Sequence, residues 1–196
     1  MNKPNNFDNV STGDFTPITP GGHHMIIKGV EERKTKTGKD MLVVAFDFAP
    51  NDKQPSYAAQ LFNSDIRPDK KWPNSCITYV VAVDNDGNTS RNFKTFIKSV
   101  EDSNKGFITT WGEGQAFTQQ FKGKRVGGVF GRVEEEYNGE RKIRTILRWF
   151  CSDSRVDNAN VPADKLLGVS AAPAQVATSS TIPAGFTPVQ DDDIPF

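Results

Sequence analysis

Asp191, Asp192 and Asp193 stand directly before Ile194, Pro195 and Phe196. Three carboxylates alone would only solvate a tail, but here apolar side chains follow at once with nothing nearby to pack against. Pro195 fixes its own φ and biases Ile194 toward extended backbone, so little ordering entropy remains to be lost on docking. The Phe196 ring suits an apolar pocket while a terminal carboxylate meets an Arg or Lys at the rim, and the aspartates steer the peptide toward a basic surface. That is the chemistry of a docking hook. The other chemistry-bearing clusters are poorer. Glu134, Glu135 and Glu136 are consecutive in a strand-like run, so they alternate faces and cannot gather round one metal. His23 and His24 divide in the same way, and the sequence shows no partner carboxylate for either. Cys76 and Cys151 lack metal-type spacing and read as reduced, buried thiols. With no P-loop, nucleophile motif or zinc spacing, neither an enzyme nor a metal or cofactor is expected.

The hexapeptide DDDIPF resembles the acidic tip of bacterial and phage single-stranded DNA-binding proteins (SSBs). In that family the tip recruits replication, recombination and repair enzymes. The resemblance implies a flexible linker before the tip and a DNA-binding domain before the linker, and both can be sought in the rest of the chain.

With 196 residues the chain has room for one ordinary domain and an appendage. Its 24 basic and 24 acidic side chains cancel, which is unusual for a protein that meets a polyanion. The balance is uneven along the chain. From Val161 onward Asp164, Asp191, Asp192 and Asp193 face the single Lys165, a net −3, which leaves +3 for residues 1–160. A weak net field means that any anion-binding surface must come from local clusters of cations. Residues 161–190 are rich in Ala, Pro, Ser, Thr and Val, a composition that buries too little apolar surface to offset chain entropy. The boundaries expected are a flexible arm over 1–20, a folded domain over 21–158, a disordered linker over 159–190 and the tip over 191–196. No signal peptide or membrane-length apolar run is present, so the cytoplasm is expected, that of a bacterial host if the chain is phage-encoded.

The domain reads as all-β with one short helix. Residues 23–33 and 41–48 are β-prone runs flanking the turn KTKTGK, and Leu42, Val44, Phe46 and Phe48 alternate toward a core. Residues 57–62 and 76–83 are further strand candidates. Over 90–102 the period changes: Phe93, Phe96, Ile97 and Val100 fall on one helical face, with Ser90 as N-cap. Residues 125–150 form two long strands joined at Asn138-Gly139, a strong hairpin signal. Its register sets Glu136 opposite Arg141, Glu135 opposite Lys142 and Phe130 opposite Leu147, with Trp149 near Gly128 on the core side and Lys142, Arg144, Arg148 and Val133 on the other.

Strands, one helix, then a closing hairpin is the order of the five-stranded OB barrel. That fold grips oligonucleotides between the loop after its first strand and the hairpin of its last two. The cations expected at the DNA are Lys28, Arg33, Lys34, Lys36 and Lys39 around the first turn, Lys70 and Lys71 in the central loop, and Arg141, Lys142, Arg144 and Arg148 on the hairpin. Trp72 and Tyr137 are the expected stacking residues, since every base offers a π-face. Phe46, Phe93, Phe96, Phe130 and Trp149 are assigned to the core, and Tyr57, Phe62 and Tyr79 are left open between core and surface. The turn TKTGK before MLVVAFDF, with the run FKGKRVGGVFGRVEEEYNG, is similar to phage and mobile-element single-strand-binding proteins. The resemblance implies a protein that coats single-stranded DNA and engages partner enzymes through Asp191 to Phe196; a homo-oligomer is left open, because the tetramer interface of the cellular proteins does not map onto this sequence. The alternative is a β-rich module for protein or glycan, such as a phage structural part, with an unrelated acidic tail.

Overall fold

The computed structural model describes Lys3 and residues 16–168. Most of the expected arm, most of the linker and the whole tip at 191–196 lie outside the described residues. Five strands, β1 (Gly21–Lys34), β2 (Asp40–Phe48), β3 (Ile77–Val81), β4 (Arg125–Tyr137) and β5 (Glu140–Cys151), form one antiparallel sheet in the order β3-β2-β1-β4-β5. Three α-helices accompany them: α1 (Tyr57–Ser64), α2 (Arg91–Ser103) and α3 (Gly114–Thr118).

Where a local signal was strong, the structure follows it. Leu42, Val44, Phe46 and Phe48 are all buried, as the period of two requires. Ser90 accepts a hydrogen bond from the Phe93 amide at 3.2 Å, and the helix it starts buries Phe96, Ile97 and Val100. Phe96 packs 4.9 Å from the Phe150 ring and 5.6 Å from Phe121. At the long hairpin Asn138 and Gly139 take φ of 53° and 78°, the left-handed pair that a two-residue turn needs. Tyr137 faces Glu140, Glu136 faces Arg141 and Glu135 faces Lys142.

Several expectations are corrected. The run over 57–62 is the helix α1. Its cap comes from β2: Asp47, eleven residues back, accepts from the Ala58 amide at 2.8 Å and the Ala59 amide at 3.3 Å. That carboxylate serves the orphan donors of the first turn, so an apolar run that looks strand-like in isolation becomes a helix. Three helices replace the expected one, α3 coming from the region 107–122. The sheet is open, with β3 and β5 as its edges and no ladder between them. Both edges nevertheless line one cavity of about 110 Å³, through Tyr79 and Val80 on one side and Leu147 and Phe150 on the other.

The register of the hairpin also slips once. Phe130 faces Leu147 as expected, but Val129 faces Trp149, so Arg148 is an extra residue on β5. An extra residue reverses the parity of everything beyond it. Phe150, opposite Gly128, therefore turns into the core, and Trp149 turns outward at 43% exposure instead of packing inside.

The histidine pair does have partner carboxylates, contributed from distant loops. His23 is fully buried, stacked 4.3 Å from Phe48; its Nδ1 lies 2.9 Å from Asp52 Oδ1 and its Nε2 2.7 Å from the Thr19 carbonyl. His24 Nδ1 lies 2.8 Å from Asp153, and its Nε2 3.3 Å from Asp157. These contacts clamp the chain before β1 and the turn Asp153–Arg155 onto the start of β1. The turn presses so close that a Cβ at Gly22 would sit 2.1 Å from the Val156 carbonyl oxygen. After Val161 the chain does not leave the sheet at once. Lys165 donates its amide to the Arg132 carbonyl at 3.0 Å, and its own carbonyl accepts from Glu134 at 2.8 Å. β1 ends its pairing with β4 at Gly21 opposite Phe130, so this segment covers the part of the β4 edge that β1 leaves bare.

Two outcomes follow. Gly22→Ala must displace backbone, and its urea unfolding midpoint is expected to report a loss of at least ~2 kcal/mol. For His24, burial alone lowers the pKa, but Asp153 and Asp157 outweigh it and the net direction is up. The stabilisation from protonated His24 is complete below about pH 6.5 and is lost as pH rises through the raised value. Between about pH 6 and pH 8 the native chain should lose more stability than His24→Gln does, measured as the difference of their urea midpoints at each pH.

Candidate nucleic-acid interface

The sheet face away from the core is the first surface to consider. Alternation and register place three rows there: Gly29, Ala45 and Ile77; Glu31, Val43 and Tyr79; Arg33, Met41 and Val81. Met41, Val43 and Ala45 are only half-buried, and Tyr79 is 63% exposed beside Val43. A solvated sheet face usually carries polar side chains; this one offers a shallow apolar strip with one free aromatic ring and a guanidinium at its end. Tyr79, which the sequence leaves open, is thus a surface residue. The register shift between Ile27 and Gly29 leaves Lys28 exposed at the margin of this face.

The first turn is built as expected, and its cations are largely engaged. Arg33 pairs with Glu31 at 2.7 Å and Lys34 with Asp40 at 2.6 Å. The Arg33 guanidinium holds the Glu31 carboxyl below its ordinary range. Lys39 donates to the Asp84 carbonyl at 2.8 Å and to Asn85 at 2.6 Å, tying this turn to the loop after β3. Lys36 is exposed at the tip. Beside the turn, Arg33 and Lys34 line a groove of about 700 Å³ with Phe93 and Trp111. Trp111 is 66% exposed and stacks on Phe117 at 5.7 Å.

On the hairpin, Tyr137 is 77% exposed at the tip and shares a side with Val133, Glu135, Glu140, Lys142 and Arg144. The side expected to be cationic is therefore mixed. Arg144 pairs with Glu135 at 3.3 Å, Arg141 with Glu136 at 3.3 Å, and Lys142 with Glu140 at 2.8 Å. Arg148, the bulge residue, is half-buried, and its Nη1 is buried without a hydrogen-bond partner among the described residues.

The central loop carries Lys70, Lys71 and Trp72. Trp72 is half-buried against the core, donates its indole N–H to the Phe46 carbonyl at 2.9 Å and packs 5.7 Å from Phe62. That is a structural role, whatever its remaining surface does. Lys70 sits 5.8 Å over the Phe62 ring and Lys71 is exposed. Arg33 and Lys34 of the first turn line one groove, and Arg144 of the hairpin lines another with Pro17, Ile18 and Tyr57.

Among the described residues no three His, Cys, Asp or Glu side chains come together to hold a metal. Burial pushes the Cys76 thiol up to about 12, which removes it as a nucleophile at neutral pH, and Cys151 is also pushed up. Among the described residues no helix is long and apolar enough to cross a membrane. No protein-family model matches the chain, and no curated protein matches it in sequence.

The ion pairs at the two turns are exposed, and exposed pairs contribute roughly 0–1 kcal/mol each. Glu31→Gln combined with Glu135→Gln should therefore move the thermal midpoint little, by less than the equivalent of ~1 kcal/mol, while releasing Arg33 and Arg144. Later elution of the double variant from a sulfonate cation-exchange column than of the native chain is the expected readout.

Proposed function

We propose that this chain is a non-enzymatic, largely sequence-independent single-stranded DNA-binding protein that coats exposed strands during replication, recombination and repair. Residues 191–196, which resemble the acidic tip of bacterial and phage single-stranded DNA-binding proteins, would engage partner enzymes. A tether of more than twenty residues would hold that tip at high local concentration around bound DNA. The body fits an OB-type barrel. β1 is shared between β2 and β4, the helices α2 and α3 stand between β3 and β4 in the chain, and the edges β3 and β5 both line a small cavity, which would suit a partly open five-stranded barrel.

The observation that carries the reading is Tyr79 on the outward rows of β1, β2 and β3, the face on which an OB barrel would bind oligonucleotides. An exposed ring backed by Val43, with Arg33 in the next row on β1 able to exchange Glu31 for a phosphate, would supply both halves of single-strand binding, a stacking plane and a phosphate partner. Neutral overall charge is no obstacle when stacking contributes roughly 1–3 kcal/mol per base. One observation favours the alternative of a protein- or glycan-binding module: Arg33, Lys34, Arg141, Lys142 and Arg144 are all already paired with carboxylates.

Oligo-dT titration separates the two. Tryptophan emission of the native chain should quench on adding oligo-dT, with affinity falling linearly in log salt. Tyr79→Ala should weaken binding about tenfold, the equivalent of ~1.4 kcal/mol, without shifting the urea midpoint. Absence of quenching at low salt, or saturable sugar binding that ignores oligo-dT, would sink the proposal.

A further inference from the structure

A second cationic surface lies away from the turns, in a groove of about 850 Å³ between α2 and β5. Arg91, Lys94 and Lys98 line it at i, i+3 and i+7, so they stand along one side of α2, at successive rises of about 4.5 and 6 Å. Arg155, from the turn Asp153–Arg155, contributes a fourth cation. The contrast with the turns is in the pairing. Among the described residues Arg91, Lys94 and Arg155 make no ion pair; Lys98 shares Glu101 at 2.7 Å, and Asp102 is the one carboxylate in the lining. Cations left unpaired along a groove keep loosely held counterions that a polyanion can release, whereas those at the turns are already half neutralised.

Trp149 gives the groove its second property. Turned outward by the extra residue at Arg148, it lines this groove and also the cavity between β3 and β5, where Tyr79 lies on the opposite edge. The surface is therefore continuous: outer sheet face, Tyr79, the seam, Trp149, then the row of cations on α2. We propose that this groove is a second contact for unpaired nucleic acid, taken by a strand that has crossed the sheet face and passed over the β3–β5 seam. The inference rests on the function proposed above and extends its path. Regularly spaced cations with an exposed indole match a repeating phosphate chain carrying bases better than they match one compact cluster of carboxylates. The competing occupant, the chain's own Asp191, Asp192 and Asp193, is distinguished by experiment.

The test compares the full-length chain with a triple variant, Arg91→Gln, Lys94→Gln and Arg155→Gln, against labelled oligo-dT of roughly 6 and roughly 30 nucleotides across a salt series. With the groove as a second contact, the short oligomer binds both proteins within about twofold. The long one binds the variant about tenfold more weakly near 0.1 M salt, and its log–log salt slope is shallower by about 2, from roughly 0.7 per phosphate released. Trp149→Phe at the same time reduces quenching by the long oligomer and leaves quenching by the short one unchanged. Unaltered slopes for both lengths overturn the inference while leaving the proposed function standing, and so does an equal loss for both lengths. A fluorophore on Lys94→Cys that responds to removal of residues 191–196 but not to the long oligomer overturns it in favour of the aspartates. If the native chain binds neither oligomer, the proposed function itself fails.

Discussion

β4 has to accept two partner strands and a covering turn over the same few residues, and that crowding governs the rest of the architecture. Its segment VGGVFG pairs with β1 along one edge and with β5 along the other. The turn carrying Val156 lies over it: a Cβ on Gly127 would come 2.6 Å from Val156 and 2.8 Å from the Cys151 sulfur, and one on Gly128 would come 2.5 Å from Met25. Glycine is a weak strand former, at a cost of up to ~1 kcal/mol per position. Here the cost is offset because Val126, Val129 and Phe130 are driven fully into the interior by the partners that the glycines admit. α2 depends on the same ladders, since it packs across β4 and β5, and the His24 clamp acts on β1 directly beside them.

The parts of this fold legible in the sequence are those whose causes are local. Asn138-Gly139 dictates its own turn, Ser90 caps its own helix, and β2 announces its buried side by alternation. What escaped has causes elsewhere in the chain. α1 is a helix because of a carboxylate on β2, and His23 is held by an aspartate 29 residues away. The segment around Lys165 has linker composition but meets an unpaired strand edge, and two backbone hydrogen bonds hold it there. Periodicity within 161–168 carries no trace of the edge it covers.

Strand parity explains why the candidate surface was only partly visible. An uninterrupted register puts Trp149 among the core side chains, and one additional residue on β5 puts it outside. The second irregularity, in β1 between Ile27 and Gly29, shifts the face on which Arg33 emerges. Each bulge adds local twist and changes which side chains point outward. Of the hairpin ion pairs, by contrast, Arg141 with Glu136 was implicit in the register, whereas Arg144 reaches diagonally to Glu135 and Lys142 turns along its own strand to Glu140. Oppositely charged residues placed face to face steady the strands and neutralise one another by the same contact.

That double effect separates the two kinds of cation on this protein. A guanidinium beside a carboxylate on an exposed strand gives up little by exchanging it for a phosphate, because in high dielectric the original pair is worth at most ~1 kcal/mol. It also releases few counterions, so such sites contribute contact without much salt dependence. Cations without an ion pair among the described residues, such as Arg91 and Lys94, would behave oppositely on meeting a polyanion, drawing most of the binding free energy from released ions. In a body with a net charge of only +3 over residues 1–160, neither class supplies a strong long-range field. The aromatic contacts must then carry much of the affinity in the proposed function. Tyr79 and Trp149 can do so because each projects from a strand of the sheet, and the fold fixes their separation before any ligand arrives.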